Sequence, residues 1–268
     1  MASREERSRS FGTVAVTYDD ARTGPPDEAA AWLLPAGAVT VLDLGAGTGK
    51  LSRALAGQGV TVTAVEPDPR MRAVLAERSP GVRVLAGTGE DIPLPDASMD
   101  GVFVSSAWHW MDPDRTIPEV ARVLRDGGRF GILGSGMDRE TGWLREVRWR
   151  PGQPDSDGTE PPRRRKGGDR ERPSWRSGRE FGVELPPGSP FGHEARTDFR
   201  FTRAMTAEEI VAMLGTYSRL ITAPAAERDA TLAAARADLA TRFPDGGPVD
   251  VPMRTRCWRA DRATRGAG

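Results

Sequence analysis

The chain reads as an α/β protein on a doubly wound, Rossmann-like, mostly parallel seven-stranded sheet with an antiparallel last strand. Three observations predict this. Short, β-branched apolar runs alternate with segments of helical period from Val39 to Leu133, separated by gaps of ordinary loop length. The first run, Val39 to Leu44, is apolar almost throughout, as in a strand buried on both faces. It stops at Gly45, Ala46, Gly47, Thr48 and Gly49, and from Lys50 the period becomes helical, with Leu51 and Leu55 four apart. A strand, a glycine turn and a helix start define a ligand site at the carboxyl end of a strand.

In chain order, Met1 to Ser10 is polar and charged and reads as a disordered tail. Phe11, Val14, Ala15 and Tyr18 share one helical face, in a helix that runs to about Arg22 before Gly24, Pro25 and Pro26. Glu28 to Leu34 is a second helix, ending at Pro35. Val60 to Val65 is the second strand, and Glu66 closes it 21 residues after Gly45. A doubly wound sheet places an acidic side chain there, where its carboxylate can accept hydrogen bonds from two ribose hydroxyls. Arg70 to Arg78 is helical, with Met71, Val74 and Leu75 on one face, and Val82 to Leu85 is a third strand. Met99 to Ser105 is the fourth, and it runs into Ser106, Ala107, Trp108, His109, Trp110 and Met111. Asp112 can cap the next helix, which buries Ile117, Val120, Val123 and Leu124 and stops at Gly127 and Gly128. Arg129 to Leu133 is the fifth strand.

Beyond Gly134 the pattern changes. Trp143, Leu144 and Val147 lie at helical spacing within Glu140 to Arg150. Pro151 to Pro190 is dense in Pro, Gly, Arg and Asp and nearly lacks aliphatic residues, so 138–190 reads as an irregular insertion between 11–137 and 191–268. Its run Arg163 to Lys166 reads as a solvated loop. Ala195 to Met205 alternates as a sixth strand, Thr206 and Glu209 form a capping box, and Ile210, Val211 and Leu214 are the buried face of that helix. Pro224 opens an Ala-rich helix to Phe243, and Val249 to Trp258 alternates as the last strand.

Composition excludes several functions. Lys plus Arg number 38 and Asp plus Glu number 38, so no net field steers the chain toward nucleic acid or an anionic membrane. The single cysteine, Cys257, forbids an intramolecular disulfide or a thiolate metal cluster, and no metal site is expected. The charged start MASREERSRSF and the lack of any 18-residue apolar run predict a cytoplasmic protein without a membrane segment.

The glycine turn is not a phosphate loop of either common kind. A dinucleotide fingerprint has glycine where Lys50 stands, and a P-loop has Ser or Thr where Leu51 stands. The run from Asp43 to Gly49, Asp-Leu-Gly-Ala-Gly-Thr-Gly, instead resembles the first motif of class I S-adenosylmethionine-dependent methyltransferases. Phe11, Ala15, Tyr18, Asp19 and Arg22 resemble the F-x-x-x-A-x-x-Y-D-x-x-R entry segment of a small-molecule branch of that family, where the segment lies over the cofactor. Gly87 to Asp96 resembles the loop that reads the adenine edge, with Thr88 where Asp is common, leaving that contact to backbone groups and Asp91. The resemblance covers Phe11 to Leu133 strongly and Ala195 to Arg259 loosely. It implies S-adenosyl-L-methionine as cofactor, held by Tyr18, Asp43, Gly45, Ala46, Gly47, Gly49, Glu66, Met71, Thr88, Gly89, Glu90 and Ser105.

The acceptor is narrowed by exclusion. Amino methylation of nucleic-acid bases brings an [ND]-P-P-[YF] segment after the fourth strand, and Ser105 to Trp108 reads Ser-Ser-Ala-Trp. Carbon methylation of cytosine needs an early thiolate, and Cys257 is far too late. The expected partner is therefore a small organic molecule, methylated on O, N or C, with no nucleic acid or membrane; no oligomeric state follows. Trp108 and Trp110 would wall the acceptor, and His109 is the candidate base, since an imidazole of unperturbed pKa about 6.5 can take a proton at neutral pH. The alternatives are a nicotinamide-dependent oxidoreductase on the same fold and a non-catalytic cofactor-binding module acting through partners.

Overall fold

The computed structural model describes residues 15–147, 183, 185 and 187–264. The expected tail 1–10, Phe11, and most of the insertion, including Arg163 to Lys166, lie outside these residues. Seven strands form one sheet in the order β3-β2-β1-β4-β5-β7-β6. They are β1 (Thr40–Leu44), β2 (Thr61–Val65), β3 (Arg83–Leu85), β4 (Met99–Ser105), β5 (Leu124–Met137), β6 (Phe191–Met205) and β7 (Val249–Arg262). The pairs β3-β2, β2-β1, β1-β4 and β4-β5 are parallel, while β5-β7 and β7-β6 are antiparallel. Strand order reverses between β1 and β4, and a crevice at that switch point is where open α/β sheets bind ligands.

The helices are α1 (Ala15–Ala21), α2 (Asp27–Leu33), α3 (Lys50–Gly57), α4 (Pro69–Arg78), α5 (Pro113–Val123), α6 (Ala207–Gly215), α7 (Ser218–Ile221) and α8 (Ala225–Arg242). Local chemistry starts several of them. Asp68 and Asp112 each accept a backbone N–H from the residue two ahead, with a proline in the first turn. Thr206 and Glu209 form the reciprocal capping box the sequence predicts, and Ile210, Val211 and Leu214 are buried.

Three expectations need correction. Gly127 and Gly128 do not end α5; the helix stops at Val123, Leu124 already pairs with Met99, and pairing resumes only at Arg129 opposite Gly101. The glycines form the bulge between those two pairs, with Gly127 at φ 74°. Trp143 and Leu144, read at helical spacing, sit in one 3-10 turn, Gly142–Arg145. The sixth strand starts at Phe191 and the last continues to Arg262, because cross-strand pairing extends both past their apolar alternation. Between Phe191 and Met205 no residue of β6 is buried, and its charged side chains blunt a sheet edge.

The described residues divide into two compact units, one of 15–136, 183, 185, 187–199 and 254–264, the other of 137–147 and 200–253. In the first, Val41, Leu51, Leu55, Val62, Phe103 and Leu133 pack with α2 and Cys257. In the second, α6 to α8 pack on Met205, Val251 and Met253 in a core of their own. Among the described residues no helix is long and apolar enough to cross a membrane.

Candidate cofactor site

The site grows from the carboxyl end of β1, a strand flanked by β2 and β4 and buried from Val41 to Leu44. The amides of Gly45 and Ala46 both donate to the Val65 carbonyl, at 2.8 and 3.1 Å, which ties the turn to the end of β2. Two glycines are required for different reasons. At Gly45, φ 70°, a Cβ would stand 2.9 Å from both the Ala107 Cβ and the Met111 Cε, so glycine admits close packing. At Gly47, φ 56°, a Cβ would meet nothing within 4 Å, so this left-handed position faces open space that a ligand can enter. Gly49 packs on Leu75 and begins α3.

Around the turn are carboxylates withdrawn from water. Glu66 is 7% exposed; one oxygen accepts from the Gly47 N–H at 2.8 Å and the other from the Asp68 N–H at 2.9 Å. It therefore braces the glycine turn while each oxygen keeps a second lone pair for a hydroxyl. Burial raises its pKa above the ordinary range, against the two amide hydrogen bonds that lower it. Asp43 is fully buried, accepts from the Ser52 hydroxyl at 2.6 Å through one oxygen, and has no protein partner at Oδ1. Burial pushes its carboxyl up to about 7, opposed by Ser52 and assisted by the nearby Glu66. An orphaned buried oxygen beneath the turn and an open cradle at Gly47 fit a ligand that carries hydrogen-bond donors.

Tyr18 lies on α1 beside Met71 and Val74 of α4, in a small apolar cluster with Ala15. The Arg22 guanidinium stands 5.4 Å from the Tyr18 ring centroid. Asp19 is buried behind them and accepts from Arg53 at 2.8 Å and Arg78 at 2.6 Å.

The loop after β3 folds back on α5. Thr88 and Asp91 pair through their backbones at 3.4 Å, and both side chains are exposed. Gly89 is buried, with Met111 Sδ and Thr116 Oγ1 each 3.0 Å from where its Cβ would be. Glu90 accepts from the Asp112 N–H at 2.7 Å, so its carboxylate fastens this loop to the start of α5. Ser105 is half-buried at the end of β4, and Ser106 takes a left-handed φ of 55° as the chain leaves the sheet. Trp108, His109 and Trp110 then form one 3-10 turn. The Trp108 ring meets Phe130 edge-on at 5.5 Å, which anchors it to an aromatic row with Phe191 and Trp258. His109 is exposed, with its ring 4.7 Å from that of Trp110.

Two residues that sequence reasoning passed over stand out. Met111 lies against Gly45 through Cε and Gly89 through Sδ, joining the glycine turn to the loop after β3; a lone methionine carries no motif to reveal it. Arg53 donates to the Thr48 carbonyl at 2.9 Å as well as to Asp19. Its one sequence signal is a basic first turn on α3 with no acid, the wrong sign for a helix N-terminus.

A parallel sheet with a glycine turn at the switch point and an acid closing β2 beside it defines a nucleoside-cofactor-binding α/β class. A family model described as a methyltransferase domain matches residues 42–132. An uncharacterized methyltransferase of Mycobacterium tuberculosis is 41% identical over 263 residues, 97% of this chain and 99% of that one. A methyltransferase-like protein of Schizosaccharomyces pombe is 30% identical over 82% of each chain. A solved structure from Anaeromyxobacter dehalogenans, given as a candidate type II methyltransferase, superposes with a TM-score of 0.59 at 25% identity, covering 90% of this chain and 97% of its own. The chain belongs to the class I S-adenosylmethionine-dependent methyltransferases.

Proposed function

We propose that the protein transfers a methyl group from S-adenosyl-L-methionine to an O, N or C atom of a small organic molecule. The observation that carries the cofactor reading is the open cradle at Gly47, braced by the buried Glu66 carboxylate. When bound, the cofactor supplies an electrophilic methyl on a positively charged sulfonium. Glu66 accepts from the ribose hydroxyls through the lone pairs the two amides leave free. Asp43, Gly45, Ala46, Gly47 and Gly49 form the floor, while Tyr18, Met71 and Ser105 border it. Thr88, Gly89 and Glu90 present the loop that faces the adenine.

The chain's remaining work is to hold the acceptor in line and to exclude water; orientation of this kind supplies roughly 7 to 11 kcal/mol of a barrier. Trp108 and Trp110 give an apolar wall for an organic acceptor, and His109 between them takes the acceptor's proton. Calorimetry with S-adenosylmethionine and S-adenosylhomocysteine tests the first half of the reading. Transfer of labelled methyl into a small-molecule extract tests the second. Binding without transfer would replace the enzyme by a cofactor-binding module, and label appearing in nucleic acid would overturn the acceptor class.

A further inference from the structure

We infer that Asp19 is a positioning residue that latches α1 over the glycine turn and thereby sets how long the cofactor stays bound. The inference rests on the cofactor-site reading and goes beyond it, because Asp19 acts through other protein groups. Its side chain is 3% exposed, although no ligand-contacting role requires it to be buried. It gathers cations from two different helices: Arg53 at 2.8 Å and Lys50 at 3.8 Å from the first turn of α3, and Arg78 at 2.6 Å from the last turn of α4. These helices follow directly from the carboxyl ends of β1 and β2, the two strands that frame the site. Burial works to raise the Asp19 pKa, yet the Thr48 side chain, the Arg53 and Arg78 guanidinium hydrogen bonds and the Lys50 charge hold it below the ordinary value.

The latch reaches the turn itself. Arg53 Nη1 donates to the Thr48 carbonyl at 2.9 Å and to the Ser79 hydroxyl at 3.1 Å, while Nη2 donates to Asp19. One guanidinium thus joins α1, the backbone of the glycine turn and the end of α4. Without Asp19, α3 would begin with two cations and no acid, opposing its own dipole. The carboxylate that corrects this comes from α1, so the helix start is electrically complete only when α1 is docked. Tyr18, the neighbouring residue, then packs on the apolar patch of Met71 and Val74.

The cations around Asp19 are about a third exposed, so removing its charge leaves them hydrated rather than stranded, and the fold should survive. Asp19→Asn should release S-adenosylhomocysteine about tenfold faster in stopped-flow displacement, with an association rate within about twofold of normal. Its cofactor-free melting temperature should stay near that of the wild type. Asp19→Asn and Arg53→Gln combined should speed release no more than the larger single effect, because both break the same link. An unchanged release rate, additive effects, or a cofactor-free melting temperature that falls with the release rate would overturn the latch. Failure of the wild type to bind S-adenosylhomocysteine, or undiminished binding by Gly47→Val, would overturn the cofactor site instead.

Discussion

Around the glycine turn the first unit withdraws four carboxylates from water, Asp19, Asp43, Glu66 and Asp68, whereas among the described residues the second unit keeps most of its ion pairs at the surface. There Arg236 pairs with Glu208 at side-chain exposures of 50% and 68%, and Arg242 with Glu146 at 28% and 61%. Asp138 is the exception: it is buried, and the Thr141 hydroxyl, the Glu140 N–H and Arg200 satisfy it. Exposed pairs of this kind contribute little to stability. Buried carboxylates cost several kcal/mol each unless the surroundings compensate, and clusters of them mark functional sites. The cores differ in the same sense. Met137, Met205, Met213 and Met253 fill the interior of the second unit, and flexible thioethers adapt to irregular space. One unit holds its carboxylates in buried hydrogen-bond networks, and the other is packed by side chains that tolerate change.

That contrast can be broken first at His109. If it is the base, His109→Gln should lower labelled-methyl transfer by about 10² to 10⁴ and leave the cofactor dissociation constant nearly intact. The pH–rate profile should lose one ionisation; full activity in the variant would end the claim without touching the family assignment. Glu66→Gln should weaken cofactor binding by roughly 1.5 to 3 kcal/mol, the range for hydrogen bonds to a charged group. A calorimetric dissociation constant equal to that of the wild type would remove Glu66 from the ribose.

Asp43 sharpens the comparison through pH. Its folded-state pKa is raised from 3.8 to about 7, so across that window the folded chain retains a proton the unfolded chain has lost. Stability must then fall as pH rises through the window and level off above it. Relative to Asp43→Asn, the wild type should lose up to about 4 kcal/mol across it in denaturant titrations, and a flat difference would contradict the buried carboxyl. The smallest effect belongs to the second unit. Arg236→Ala should change the unfolding free energy by less than about 0.5 kcal/mol, and a larger loss in urea titrations would show that its surface pairs matter more than their exposure implies.

Much of the local structure was legible because its signals are short-range. Gly45 and Gly47 do occupy left-handed positions, Asp112 and Thr206 do cap their helices, and Glu66 does end beside the turn. The exit of α5 was misread because Gly-Gly serves a helix stop and a β-bulge equally well, and only the pairing of Leu124 with Met99 separates the two. The Trp-His-Trp cluster was visible, but not that Trp108 would be tied to Phe130, Phe191 and Trp258 from three other segments.

The sequence by itself determined the parallel sheet, the glycine turn and the acid that closes β2. Each is encoded within a few residues by periodicity, left-handed backbone angles or a capping side chain. Only the tertiary structure decided that Glu66 would hold the Gly47 amide, that Met111 would join two glycines, and that Asp19 would collect Arg53 and Arg78 from 34 and 59 residues away. Those contacts exist because strand order and helix packing bring the carboxyl ends of β1, β2 and β4 together. No local pattern records that proximity, and without it these side chains would be solvated at little cost.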